Sequence, residues 1–136
     1  MDQLFLPSRI RQELSAHALQ VLPAEAVGFL AGKDRKVELV IPLANIASAG
    51  AFLADPFSQY LAEREIESRG LQVLGIYHSH PGGCTCLSKQ DIEFGKAWSC
   101  AHLVLSIDPS VGHIQELQAY NIIRGEAHDV ELSLCD

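Results

Sequence analysis

No cluster of lysine or arginine occurs anywhere in this chain of 136 residues. Ten basic side chains stand against 17 acidic ones, for a net charge of −7. A surface that grips phosphates needs concentrated positive charge, so no nucleic-acid partner is expected. Long apolar runs are missing too. A helical membrane span needs about 20 of them in succession, and none approaches that length, so no membrane partner is expected. The N-terminus, MDQLFLPSRIRQEL, lacks the basic stretch followed by an apolar stretch that marks a secretory signal. A cytoplasmic protein is expected. Internal repeats, low-complexity runs and Gly/Pro/Ser linkers are absent, so residues 1–136 are read as a single domain. Cysteine is sparse: Cys84, Cys86, Cys100 and Cys135. A C-x-C pair followed by two isolated residues matches no paired zinc-knuckle pattern, and in a reducing compartment all four are expected as free thiols.

What is present suffices for one core. The chain is 48% hydrophobic and 20% charged, which argues against disorder. A first helix is expected from near Ser8, after Pro7. Ile10, Leu14, His17, Ala18, Val21 and Leu22 fall on one face at 3.6-residue spacing, and Pro23 ends it. Ala26–Ala31, closed by Gly32, reads as a buried strand. Val37–Leu43 reads as a second strand after the polar turn Lys33–Lys36. Asp55-Pro56 signals a helix start, with Asp as N-cap and Pro at the first helical position. That helix is expected to run to about Arg69 and stop at Gly70. Leu71–Tyr77 reads as a strand and Pro81-Gly82-Gly83 as a loop. A third helix is expected from Ser88 to about Trp98, with Trp98 and Leu87 packing it. Leu103–Ile107, Ile114–Ile123 and Asp129–Leu134 read as strands, the last two around the turn Arg124-Gly125-Glu126. The fold class is α/β: a mixed α+β sheet flanked by helices.

One stretch carries chemistry: His78-Ser79-His80-Pro81, then Ser88 and Asp91. Strand side chains alternate, so two histidines one residue apart at a strand end point the same way. A carboxylate at the following helix start can converge with them on one ion. Two His and one carboxylate form a catalytic zinc set that leaves a fourth position for water. The plainer readings stay open at this point. Ser88-x-x-Asp91 also matches a capping box. Each histidine alone could be a strand-end or core residue. Glu25 could be an ordinary exposed acid. His17, His102, His113 and His128 are scattered and read as structural or exposed. Cys84 and Cys86 lie close to the proposed metal and could ligate it or form a redox switch; two solvent-exposed loop thiols are the favoured reading, because catalytic zinc keeps an open position.

The order of a glutamate, then H-x-H-P-x(6)-S-x-x-D, resembles the motif of the JAMM/MPN family of zinc metallopeptidases, and every motif position is filled. Pro23-Ala24-Glu25-Ala26-Val27-Gly28-Phe29-Leu30-Ala31-Gly32 resembles the family's glutamate-bearing strand entry. Pro42-x-x-Asn45, Asp55-Pro56 and Gly70-x-x-x-x-Gly75-Ile76-Tyr77-His78 resemble its short bacterial members. The resemblance covers nearly the whole chain. It implies a JAMM/MPN fold with a cytidine-deaminase-like core and one Zn2+ per chain on His78, His80 and Asp91. It implies Glu25 as general base, and Ser88 as a hydrogen-bond donor to the developing oxyanion. By the same resemblance, the substrate is an amide bond after a ubiquitin-like protein ending in Gly-Gly, of the sulfur-carrier type. Its tail would be bound as an added strand. A non-catalytic scaffold of the same fold is the alternative. A zinc nucleobase deaminase is set aside, because those enzymes use H-x-E with P-C-x-x-C, whereas His80 stands where that Glu would fall and no C-x-x-C exists.

Overall fold

Leu4 and Leu6 are both fully buried. They form β1 (Gln3–Pro7), a strand that the helix-centred reading of the N-terminus does not anticipate. The protein is described here by a computed structural model covering residues 1–48 and 51–136. Directly after β1 comes α1 (Ser8–Gln20), whose Ile10, Leu14, His17 and Ala18 are buried on the expected face. Val21 and Leu22 lie past the helix end and pack against the same cluster. The remaining elements are β2 (Val27–Lys33), β3 (Lys36–Leu43), α2 (Pro56–Ser68), β4 (Gln72–Pro81), α3 (Lys89–Gly95), β5 (Ala101–Ile107), β6 (Ile114–Ile123) and β7 (Glu126–Cys135).

The expected mixed sheet with helices is found, with one addition. Among the described residues its strands close into a ring in the order β1-β3-β2-β4-β5-β6-β7. β1 makes the closure. It runs parallel to β7 from Gln3 opposite Glu131 to Pro7 opposite Cys135, and meets β3 where Phe5 faces Lys36. Closure removes the edge that β7 would otherwise expose. Two apolar clusters fill the two faces. One draws on all seven strands, including Leu4, Leu30, Val37, Tyr77, Leu105, Ala119 and Val130, and receives α1. The other joins Val27, Phe29, Ala31 and Ile76 to Ala62 and Ile66 of α2. Alternation along β2 and β4 therefore sends neighbouring residues to opposite clusters.

Capping sets the helix starts. Asp55 accepts the Ser58 amide at 3.0 Å and opens α2 as expected, a cap worth about 1 kcal/mol. α3 is shorter than expected, ending at Gly95 rather than near Trp98. Gly95 sits where a Cβ would come within 2.5 Å of Ile122 Cδ1 and 2.9 Å of His102 Cε1. The Trp98 amide turns back to the Gly95 carbonyl at 3.0 Å. The indole then packs edge-on against Phe29, with ring centres 5.2 Å apart. β4 is longer than expected and runs through His78 and His80. Antiparallel β2 lies on one side of it and parallel β5 on the other, the latter pairing as far as Pro81 opposite Ile107. No helix among the described residues is long and apolar enough to cross a membrane.

Candidate metal centre

Period-two alternation puts Ile76, His78 and His80 on the α2 side of β4. His78 is 3% exposed. The two Nε2 atoms lie 2.9 Å apart. His80 Nδ1 is 2.7 Å from the Cys84 carbonyl oxygen. A carbonyl only accepts, so Nδ1 carries the proton, and in the neutral ring Nε2 turns a lone pair to the centre. Phe52 lies flat on the His78 ring, with centroids 4.1 Å apart and planes 19° from parallel. Phe94 meets Phe52 edge-on.

Asp91 arrives through α3, and here the two readings of Ser88-x-x-Asp91 coincide. The Asp91 amide donates to Ser88 Oγ at 3.0 Å, and the Ser88 amide donates to Asp91 Oδ2 at 3.0 Å, which is a complete capping box. The same Oδ2 stands 3.1 Å from His80 Nε2 and 3.4 Å from His78 Nε2. Ser88 Oγ accepts within the cap, so its own proton is left to donate. Glu25 precedes β2. The Ala26 amide donates to Ser79 Oγ at 2.8 Å, and the Ser79 amide donates to the Ala26 carbonyl at 3.0 Å. These bonds draw the Glu25 segment against β4. One carboxylate oxygen of Glu25 and one ring nitrogen each of His78 and His80 lie within 4.8 Å of one another. Glu25, His78, His80 and Asp91 therefore converge, and Ser88 is tied to them through its cap bonds with Asp91.

Electrostatics follow from burial and contact. Burial pushes the His78 imidazole down. The hydrogen bond to Asp91 is the main cause that lifts His80 above its ordinary value. Burial alone would raise Asp91, but hydrogen bonds from His78 and His80 hold it well below the carboxylate range. Burial raises Glu25, with Asp91 adding to the rise and His80 opposing it. Glu25 Oε1 is buried with no hydrogen-bond partner. Among the described residues, neither carboxylate is ion-paired to a Lys or Arg; the only basic partners within range are the two imidazoles at Asp91. Two imidazole nitrogens and two carboxylates, one of them with an orphaned buried oxygen, form a donor set that fits a divalent cation.

The loop after His80 corrects one expectation. Cys84 and Cys86 are joined in a disulfide, so they are not the free loop thiols expected, and no thiolate is available as a ligand. Thr85 is buried between them. Its hydroxyl donates to Glu116 at 3.0 Å, and its carbonyl accepts from Tyr120 at 2.9 Å. This anchored turn brings the flanking Cα atoms to 5.4 Å, within bridging range. Cys100 and Cys135 are free, as expected. The scattered histidines also behave as read. His17 is buried against the Tyr77 hydroxyl at 2.7 Å, His102 is buried, and His113 and His128 are exposed. Phe52 and Ser79 escaped the sequence reading. The only signal for Ser79 was its position between the two histidines, and none marked Phe52.

A family model described as prokaryotic homologs of the JAB domain matches residues 7–123. The chain is 39% identical, over 107 residues, to a probable TtuB-protein conjugate cleaving protease of Thermus thermophilus, spanning 77% of this chain and 71% of that protein. A protein from Desulfitobacterium hafniense has a solution structure that superposes with a TM-score of 0.85 at 30% identity, covering 98% of this chain and 93% of that one. A JAB1/MPN domain protein from Archaeoglobus fulgidus gives a TM-score of 0.64 at 19% identity, covering 97% and 99%, and shares the fold. The family match takes in Glu25, both histidines, Ser88 and Asp91, and the chain belongs to the JAMM/MPN family as a short prokaryotic member.

Proposed function

We propose that this protein is a zinc-dependent peptidase that hydrolyses the amide bond following the Gly-Gly end of a ubiquitin-like protein of the sulfur-carrier type. The observation that carries the reading is the meeting of two imidazoles with Asp91 Oδ2 beside a buried carboxylate, Glu25, that has an unpartnered oxygen. His78, His80 and Asp91 would hold one Zn2+. The Thermus thermophilus relative, described as cleaving TtuB-protein conjugates, supports a protein conjugate as substrate. A zinc ion bound there would polarise the scissile carbonyl and lower the pKa of water to about 7.

The chain's own residues do the rest. Glu25, held out of bulk water, has a raised pKa suited to accepting a proton from water and returning it to the leaving amine. The Ser88 hydroxyl, at the rim of the site, donates to the oxyanion as it develops. The cap bonds of α3 hold Ser88 and Asp91 in fixed relation. In this reading the strand and helix core is of the cytidine-deaminase type, and the protein works in the cytoplasm. The test is incubation of the zinc-loaded protein with Gly-Gly carriers bearing C-terminal extensions or isopeptide-linked lysines, with products identified by mass. Cleavage after Gly-Gly that stops with a chelator is the expected result. Zinc-loaded protein that cleaves none of them overturns the proposal.

A further inference from the structure

Asn45 follows β3, and its carboxamide makes four hydrogen bonds, the full complement of two donors and two acceptor lone pairs. Nδ2 donates to the carbonyl of Glu25 at 2.9 Å and of Ala51 at 3.1 Å. Oδ1 accepts from the amides of Ala47 and Leu53, each at 3.0 Å. Backbone bonds flank it: Ile46 amide to Leu53 carbonyl at 2.9 Å, and Asp55 amide to Ala44 carbonyl at 2.8 Å. One side chain therefore grips two separate stretches. On one side is the peptide of Glu25. On the other are the peptides immediately before and after Phe52, the ring stacked on His78.

Glu25 needs such a grip. The β2–β4 ladder begins at Val27 opposite His78, and Ser79 secures Ala26. Glu25 stands one residue further out, beyond the ladder and the Ser79 bonds. We propose that Asn45 is a positioning residue for the reaction: it fixes Glu25 through its backbone carbonyl and ties that carboxylate's position to the ring plane of His78 through Phe52. This rests on the reading of Glu25 as general base given above. A displacement of about 1 Å in a catalytic group can cost about 10²-fold in rate, so loosening one carbonyl has a measurable effect.

Two variants separate the bonds. Asn45→Ala removes all four. Asn45→Asp keeps an oxygen for the Ala47 and Leu53 amides but loses both donors, so the loop keeps two of its three bonds to this side chain while Glu25 is released. Both are expected to lower kcat by about 10- to 100-fold, with KM and zinc stoichiometry near those of the parent. In a Glu25→Ala background, Asn45→Asp is expected to change the residual rate by less than about 2-fold, because its effect passes through Glu25. A kcat for Asn45→Asp equal to the parent's, or a loss that repeats in full without Glu25, overturns the inference. Crystal structures of parent and Asn45→Asp give an answer that needs no substrate. The Glu25 carboxylate should shift against the two imidazoles, and an unmoved carboxylate overturns the inference. Failure of the parent to cleave any carrier would instead count against the proposed function and leave this structural comparison decisive for Asn45.

Discussion

Glu25→Gln should make the metal-free protein more stable and the zinc-loaded protein nearly inactive. The carboxylate is only 6% exposed, and its Oε1 has no partner. Burial raises its pKa above that of a free glutamate, which means that the folded state disfavours the charged form. The sign follows by linkage. A raised folded pKa contributes stability that is fully present below the unfolded value, near 4.3, and is lost as pH rises through the folded value. Above that window the parent carries a buried, unpaired charge, whereas the glutamine does not. Relief of the buried charge, with a polar atom still left in the unpartnered place, is worth about 1–2 kcal/mol. For a domain of this size that is roughly 4–8 °C in melting temperature. Calorimetry in chelator at pH 5 and pH 8 should therefore find the variant melting higher, with the gap wider at pH 8. With zinc and a conjugate substrate, loss of a general base should lower kcat by about 10²–10⁴, or roughly 3–5 kcal/mol of barrier. A variant that melts below the parent at pH 8 refutes the burial argument. One that turns over at the parent's rate removes Glu25 from the chemistry.

The Asp91 carboxylate has two separable duties. Asp91→Ala should cost about 0.5–2 kcal/mol of stability through the broken capping box and lose zinc, whereas Asp91→Asn keeps an oxygen for the Ser88 amide and should lose zinc alone. Equilibrium dialysis followed by metal analysis checks this, and parental zinc affinity in Asp91→Asn would strike Asp91 from the metal set. Thiol titration of the denatured, unreduced protein should find only Cys100 and Cys135, with Cys84 and Cys86 appearing after reduction. In the native protein Cys100 should react slowly, since burial pushes its thiol up to about 11. Four thiols before reduction would refute the bridge.

Local signals in the sequence predict the structure where the structure they encode is local. The 3.6-residue spacing of Ile10, Leu14 and Ala18 needs only one helix and one core to be satisfied, and it was. Asp55-Pro56 caps α2 by itself, and Ile114–Ile123 forms β6 with the boundaries expected. β1 was missed because its partner is β7, at the other end of the chain, and a five-residue strand is stabilised by that pairing rather than by its own propensity. The Cys84–Cys86 bridge was missed for a related reason. It depends on a turn anchored by Glu116 and Tyr120, some 30 residues further on. His78, His80 and Asp91 were legible from residue type and spacing. Glu25 was not: nothing in its neighbours distinguishes it from an exposed acid, and it was found through the family resemblance. Phe52 and the role of Asn45 stayed hidden, since stacking and amide bonding across a loop leave no period in the sequence.

Each candidate donor is fixed by a bond that does not involve a metal. His80 is held at Nδ1 by the Cys84 carbonyl, His78 by the face of Phe52, Asp91 by the Ser88 amide, and Glu25 by Asn45 acting on its carbonyl. The four anchors come from two loops: Phe52 and Asn45 from the loop between β3 and α2, and the Cys84 carbonyl and Ser88 amide from the loop between β4 and α3. Ordering a flexible side chain costs roughly 0.5–2 kcal/mol in lost rotamer freedom, and here that cost has been met in folding rather than on metal uptake. The arrangement has a counterpart cost, since lone pairs and carboxylates held this close repel one another without a cation between them. The hydrogen bond between His80 and Asp91 favours a protonated imidazole and an ionised carboxylate, which is why the two shift in opposite directions. A cation entering the site competes with a proton for His80 Nε2, so uptake should weaken as pH falls. The same rigidity that fixes the donors therefore makes the site a strong competitor for protons as well as for metal.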